Sequence, residues 1–520
     1  MEKCTISNII KEYSEKFPNR VGFSFPEVNT EYTYKSFYDE VCEVSKGLIS
    51  IGVKKGDNVG IWMTNTKEWF IFFFAIIKIG AVAVPLNTRF KSEDMKYIID
   101  KLDIHTIVME EGRKKDYMDI INAITPECKI DNIISTDFKS DKTITVEELI
   151  KIGKKIENKV LTEYEEEVDE EDAAIVLPTS GTEGFPKGAI LKHSALIKNG
   201  FDIGERLDLN NKDNMLIQVP MFHCFGITLS MMSSLTHLSK ITVISQFDSN
   251  VSIDVIEKEG ITCVNGVPTM FESIINNPKF NKEKVKTLKK GIMAGSNCLP
   301  NFIEKVMDEV DMTIVSVYGL TEASPGCTMT SVFDSKEKRV YTVGSNLPDV
   351  ESMIVDPNTG IECNVGEEGE FITRGYNVMM GYYNMPMETE KVIKNGWLHT
   401  GDIARKDKDG YYVITGRIKD IIIRGGENIS PKEVEILINS CPGVSSSVVF
   451  GIDDKTLGQR VMACVIGNID GEKIKQQLRG RCATYKIPEY IEIVEDFPKN
   501  AAGKVLTRVL RNKYNSIYTY

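Results

Sequence analysis

The sequence predicts a layered α/β architecture, a large N-terminal domain followed by a small α+β domain, on three observations. Short β-type apolar runs alternate with amphipathic stretches, the pattern of sheets covered by helices. At 520 residues the chain has room for two to four structural units of roughly 150 residues each. After Gly396 the character changes, with a turn, a strand and a polar break in quick succession.

Taken in order, Asn58–Met63, Ala81–Val84 and Thr106–Val108 read as strands, and Ser92–Leu102 as a helix. The most apolar stretch, Trp69–Leu86, is interrupted by Lys78, Gly80 and Pro85 and falls short of the ~20 residues a membrane span needs. It predicts a buried helix near 68–79 and a strand near 81–84, with no membrane insertion. The charge run at 163–172 reads as a solvated connector inside the large domain. Further on, Asp407–Gly410 reads as a turn and Tyr411–Ile414 as a strand, and the polar break Gly416–Asp420 puts a domain boundary near 417–420. The last hundred or so residues carry strand-like Ile421–Ile423 and Ser446–Phe450 and helices at Pro431–Asn439 and Ile474–Cys482.

Composition narrows the function. Sixty-three basic against 75 acidic residues give a net charge of −12, without the basic footprint of a nucleic-acid binder. An anionic substrate therefore needs a local positive site. The 11 cysteines are odd in number and lack CxxC spacing, which argues against a disulfide framework or thiolate zinc site and for a reducing, cytoplasmic setting. The opening Met-Glu-Lys-Cys-Thr does not resemble a signal peptide.

The strongest local signal runs from Pro178 to Gly188, between the apolar runs Ala173–Leu177 and Ala189–Leu191. Its glycines let backbone N–H groups turn toward a polyphosphate, Thr179, Ser180 and Thr182 add hydroxyls, and Lys187 adds a point charge. A strand rather than a helix is expected to follow, unlike the P-loop of kinases. A plain surface hairpin is the alternative. Val317–Ser324 follows the apolar run Met312–Val315, placing polar groups at a strand end, where open sheets bind ligands. There Tyr318 could stack on a base, Thr321 donate to phosphate and Glu322 hold a hard cation. Taken singly, each also suits a structural role. Gly291–Asn297 is either a close approach to a planar ring or an ordinary tight turn. Asp402 could accept ribose hydroxyls, and Lys504 sits in a glycine-containing loop able to swing toward an anion.

The order of Thr-Ser-Gly-Thr, Tyr-Gly-Leu-Thr-Glu, Thr-Gly-Asp, Gly-Arg and a final Gly-Lys resembles the adenylate-forming (AMP-binding) superfamily, from about Glu12 to Arg511. Gly291–Ser296, Gly375–Tyr383 and Ile423–Ile429 look most like acyl-CoA synthetases. The resemblance implies a large multi-subdomain adenylation domain, 1–418, and a mobile lid domain, 419–520, with Lys419 as hinge. It implies Lys504, Thr321, Glu322 and Lys187 as catalytic residues. ATP would lie against Thr179, Ser180, Gly181, Thr182, Glu183, Gly184, Lys187, Gly295, Ser296, Tyr318, Gly319, Thr321, Asp402, Arg417 and Lys504, with Mg²⁺ on Glu322. Arg424, Gly425, Gly426 and Glu427 would serve the CoA, thioester-forming stage. Two positions depart from the pattern: Glu183 stands where Thr is frequent, placing a negative side chain near polyphosphate, and Asn500 replaces Thr in the lysine loop.

Pro220–Gly226 resembles the family's acyl-pocket entrance, with His223 where amino-acid-activating relatives carry Asp. An imidazole cannot pair an α-ammonium as an anion, so a carboxylic acid without an amine is expected, unless His223 is a packed gate that never touches substrate. Cys224, Phe225, Gly226 and Val267 are the expected acyl-site residues, with Met270, Met293 and Cys327 nearby. Three readings follow. The first is a ligase joining a small-molecule carboxylic acid to CoA with ATP; the second loads a carrier-protein phosphopantetheine; the third is a catalytically weak acyl-nucleotide binder.

Overall fold

The apolar stretch that sets the core forms a helix over Lys67–Lys78, started by Thr66, whose side chain accepts from the Trp69 amide. Trp69, Phe70, Phe72 and Phe73 are fully buried, as expected of a helix apolar on every side. The computed structural model describes residues 4–112, 116–125, 127–179, 186–295, 298–425, 427–479, 481–499 and 505–518. Two compact units are present, one of Met1–Val340, Gly344–Glu351 and Arg374–Leu398, the other of Tyr341–Val343, Ser352–Thr373 and His399–Tyr520.

In the first unit an eight-stranded sheet runs in the order Gly381–Tyr382, Lys187–Lys192, Ala173–Thr179, Val82–Pro85, Asn58–Trp62, Ile104–Met109, Asn132–Ser135, Ile144–Thr145. A seven-stranded sheet runs Thr313–Val315, Lys290–Ile292, Cys263–Val264, Asn214–Ile217, Lys240–Val243, Val21–Phe25, Thr30–Thr33. One hydrophobic core draws on both, with Val59, Ile61 and Ala83 from the first sheet and Phe23, Phe25 and Ile217 from the second packed with the Lys67–Lys78 helix. Asn65, just beyond the strand Asn58–Trp62, ties the two together. Its amide donates to the Val219 carbonyl at 3.0 Å, and its oxygen accepts from the Met221 amide at 2.9 Å. Those bonds fix the chain that leads into His223.

The charge run differs from its sequence reading. Residues 163–166 complete a helix, Asn158–Glu166, and Glu165 is buried rather than solvated. The cause is Lys78, whose fully buried ammonium meets Glu165 at 2.8 Å and the Tyr38 hydroxyl at 3.0 Å. An unpaired ammonium there would cost several kcal/mol, so the core helix needs this partner.

The second unit is built on a hairpin of Val444–Asp454 and Gly458–Gly467, flanked by Tyr490–Ile493 and by the short hairpin Ile422–Arg424, Glu427–Ile429. Helices Pro431–Asn439 and Gly471–Leu478 bury Val434, Ile438, Ile474 and Leu478 on one side, and helix Thr507–Tyr518 buries Leu510 and Tyr514 against Phe450 and Met462. The second of these helices starts earlier than the predicted Ile474–Cys482, because Asp470 caps it by accepting from the Glu472 amide, and ends earlier, at Leu478, where Arg479 turns extended. The expected strand Tyr411–Ile414 instead covers Tyr412–Arg417, its ladder extending until Arg417 faces Asp402.

Glu435 gives this unit a pH dependence. Burial pushes its carboxyl up to about 7, outweighing the Val449 amide bond at 2.9 Å and the Lys432 charge, and Asp420 adds to the rise. The native state therefore keeps a proton that the unfolded chain releases from 4.5 upward. Its contribution is fully present below the unfolded value and is lost as pH rises through about 7. Glu435→Gln, which retains an acceptor for Val449, is expected to stabilise the protein by ~1–3 kcal/mol near pH 8 and hardly at pH 4. Thermal melts across that range check this.

Candidate active site

The glycine- and hydroxyl-rich segment closes an antiparallel hairpin in which Ala173–Thr179 pairs with Lys187–Lys192 and Thr179 faces Lys187. A strand does follow the loop, as the sequence predicts. Ser180, Gly181, Thr182, Glu183 and Gly184 lie outside the described residues. The strand Gly381–Tyr382 pairs with the far side of the hairpin, Tyr382 opposite Ala189, and the Tyr383 amide donates to the Gly188 carbonyl at 2.8 Å. This pairing sets the Tyr382 ring 5.1 Å from the Lys187 ammonium. Lys187 Nζ also meets Glu388 Oε2 at 2.5 Å, while Lys391 meets Oε1 of the same carboxylate at 2.5 Å. Those two cations, Lys187 first, hold the Glu388 carboxyl down at about 2.

The Tyr382 hydroxyl donates to Glu322 Oε1 at 2.8 Å, and burial together with that carboxylate holds the phenol proton far above its usual range. Glu322 sits in a 3₁₀ turn, Thr321–Ala323, directly after the strand Val317–Gly319 that carries Tyr318. The Met379 amide donates to the Glu322 carbonyl at 2.8 Å, so the turn is held from both sides. Gly319 has no room for a side chain: a Cβ there would lie 1.7 Å from the Pro325 carbonyl oxygen. Thr321 Oγ1 is 3.6 Å from Cys224 Sγ. A continuous run of contacts thus joins Glu388, Lys187, Tyr382, Glu322, Thr321 and Cys224.

His223 precedes Cys224 at the end of the segment fixed by Asn65. Its Nε2 is buried without a hydrogen-bond partner among the described residues, and burial lowers its pKa to about 4, so the ring is neutral at neutral pH. Burial raises the Cys224 thiol to about 11, which leaves it unreactive despite its place in the site. Phe225–Met232 forms a π-helix, a conformation that concentrates at functional sites. Gly295 has φ +83°, and a Cβ on it would come within 3.1 Å of Val267 and 3.6 Å of Phe225. Gly226 is packed more tightly still, since a Cβ would sit 2.8 Å from the Pro220 carbonyl oxygen. Gly295, expected at the nucleotide, therefore lies against Phe225 and Val267, expected at the acyl group, whereas Ser296 lies outside the described residues.

The remaining predicted residues belong to the second unit. Asp402 is buried and meets Arg417 Nε at 2.6 Å across paired strands. Glu370 organises the Thr-Gly-Asp turn, accepting from the Gly401 amide at 3.0 Å and pairing with His399 Nδ1 at 2.8 Å. Thr400 donates to the Phe371 carbonyl at 2.6 Å. Lys419 lies in the 3₁₀ turn Ile418–Asp420. Arg424 faces Glu427 across its hairpin and donates to the Tyr485 carbonyl at 3.1 Å, and the Gly425 amide donates to Leu457 at 2.7 Å. Gly426, Asn500 and Lys504 lie outside the described residues.

Sequence reasoning missed Tyr382, Glu388, Glu370 and Asn65 as site-building residues. Tyr382 lies inside Gly375–Tyr383, a segment that looks like those of acyl-CoA synthetases, but no spacing rule connects it to Glu322, 60 residues earlier.

A family model described as "AMP-binding enzyme" matches residues 10–383, and one described as "AMP-binding enzyme C-terminal domain" matches 433–504. The chain is 37% identical over 534 residues to a Bacillus subtilis protein named "Putative acyl-CoA synthetase YngI", covering 98% of this chain and 97% of that one. It is 31% identical to the "Medium-chain acyl-CoA ligase ACSF2, mitochondrial" of Danio rerio, covering 99% of this chain and 89% of the relative. Among solved structures it resembles ATP-bound MatB from Rhodopseudomonas palustris, with TM-score 0.86, 26% identity and coverage of 99% and 100%.

Proposed function

Because the chain belongs to the AMP-binding enzyme family, we propose that it activates a carboxylic acid with ATP as an acyl-adenylate and passes the acyl group to the CoA thiol, releasing AMP and pyrophosphate. The observation that carries this reading is the unbroken run from Lys187 through Tyr382, Glu322 and Thr321 to Cys224, beside His223. It joins a cation suited to phosphate, a carboxylate suited to a metal and the segment Pro220–Gly226.

Adenylation brings a carboxylate against an anionic phosphorus, so its transition state gathers negative charge that preorganised cations must offset. Lys187 would hold β- and γ-phosphate oxygens with the loop that includes Thr179, Ser180, Gly181, Thr182, Glu183 and Gly184. Tyr318, Gly319, Gly295 and Ser296 would flank adenine, and Asp402 and Arg417 would hold the ribose. Thr321 would donate to a phosphate oxygen, and Lys504 would bridge substrate carboxylate and α-phosphate. Glu322 suits Mg²⁺ brought in by the nucleotide. Its carboxylate is fixed by Tyr382, and the described residues contain no group of three or more protein ligands that would cage a metal by themselves. Held by Glu322, the ion would supply positive charge against the negative charge that develops on the phosphates.

His223, neutral at neutral pH, offers no anion to an α-ammonium, so the substrate would be an acid without an amine. Phe225, Gly226, Val267 and Cys224 would line its path. The name of the zebrafish relative makes medium-chain acids the first to try. For the second step, a lid comprising 419–520 would turn about Lys419, withdraw Lys504 and bring Arg424, Gly425, Gly426 and Glu427 toward the adenylate. A cytoplasmic setting belongs to the same proposal, supported by cysteines none of which is paired.

The test is AMP and pyrophosphate release from ATP·Mg²⁺ across short, medium, long and aryl acids, with and without CoA. Turnover requiring both acid and CoA is expected. Turnover only with a phosphopantetheinyl carrier protein, or ATP binding without products under every condition, overturns the reading.

A further inference from the structure

We propose that Glu388 is a phosphate surrogate, a carboxylate that holds Lys187 in the nucleotide-free site, yields it to ATP and recaptures it as pyrophosphate leaves. The inference rests on the assignment of Lys187 to the β- and γ-phosphates. Its basis is the Lys187–Glu388 contact of 2.5 Å, made between two side chains that are each 27% exposed. An ammonium gives charge-assisted bonds to carboxylate and phosphate oxygens alike, so the two anions compete for one donor.

The placement of Glu388 is built into the fold. It lies in the short helix Pro386–Val392, which begins just after the strand Gly381–Tyr382 that pairs with the Lys187 strand. Thr389, the next residue, accepts from the Tyr382 amide at 2.9 Å and donates to the Met385 carbonyl at 3.0 Å, locking helix to strand. The Tyr382 ring gives the ammonium a second resting surface that persists whichever anion it serves. Lys391 explains how the carboxylate can release its partner. It meets the other carboxylate oxygen at 2.5 Å from a position 65% exposed, so Glu388 keeps a counter-ion after Lys187 has moved. The exchange is therefore cation from carboxylate to phosphate, with no bare charge left behind.

The experiment is calorimetric titration of the full-length protein with ATP·Mg²⁺ in the absence of acid, with pyrophosphate and with AMP. Glu388→Gln keeps the side-chain shape and removes the competing charge. It is expected to bind ATP and pyrophosphate about threefold to tenfold more tightly and to leave AMP, which lacks β- and γ-phosphates, unchanged. Lys187→Ala is expected to weaken ATP but not AMP, and Lys187→Ala with Glu388→Gln should match Lys187→Ala alone. If Lys187→Ala leaves ATP affinity intact, the assignment of Lys187 fails. If it weakens ATP while folded Glu388→Gln and Glu388→Ala bind ATP no more tightly than the parent, the surrogate role fails. Equal tightening toward AMP also overturns it, as that reports a general electrostatic change.

Discussion

Replacing Lys504 with alanine is expected to slow acyl-adenylate formation ~10²–10³-fold while largely sparing thioester formation from a supplied acyl-adenylate. The asymmetry follows from where charge collects. Adenylation presses a carboxylate onto a polyphosphate, and a cation touching both anions acts mainly in the transition state. Thiolysis attacks a carbonyl whose leaving group is already AMP, and in the proposed cycle Lys504 has withdrawn by then. Measuring pyrophosphate-dependent ATP exchange beside CoA-dependent consumption of synthetic acyl-adenylate separates the two rates. Equal losses in both would remove the proposed division between conformations.

The second large effect is expected at Glu322. Glu322→Gln should lower kcat/KM for ATP ~10²-fold or more, because an amide retains the bond from the Tyr382 hydroxyl but withdraws the charge that would hold the metal. The dependence on Mg²⁺ concentration should shift upward at the same time. Tyr382→Phe, which leaves the carboxylate charged but unanchored, should cost roughly tenfold or less by loss of one hydrogen bond to an ion. Rates measured against Mg²⁺ at saturating acid check both. A Glu322→Gln enzyme with parental Mg²⁺ dependence would place the metal elsewhere.

How far these features can be read without coordinates depends on the range of the interaction. Continuous apolar runs suffice for the strands Asn58–Trp62 and Val82–Pro85 and for the helix Lys67–Lys78, and a helical period for Pro431–Asn439, since each signal is local to its segment. The phosphate hairpin and the turn after Val317–Gly319 are legible because glycine, hydroxyl and charge are adjacent in the chain. Glu165 is not, because a run of acids looks solvated until a lysine 87 positions earlier is found buried at 2.8 Å from it. Glu388 and Tyr382 escape for the same reason, as strand pairing 190 or so residues apart brings them to Lys187. His223 stands out by its motif, but its neutral state and an Nε2 without a partner among the described residues arise from burial, which no spacing encodes.

The π-helix of Phe225–Met232 has an evolutionary meaning. Each of its backbone bonds spans one more residue than an α-helical bond, so the segment stores slack that a straight helix lacks. It runs directly into the α-helical turn Ser233–Thr236 and is steadied from outside by the Asn265 amide, which donates to the Leu229 carbonyl at 2.9 Å. Removing a single codon there would tighten the coil by one residue while the flanking elements keep their register. Phe225, which lies against Gly295, and Cys224, which lies against Thr321, would be re-aimed. A lineage can thus alter what surrounds Gly295 and Thr321 by shortening one coil, without substituting either residue.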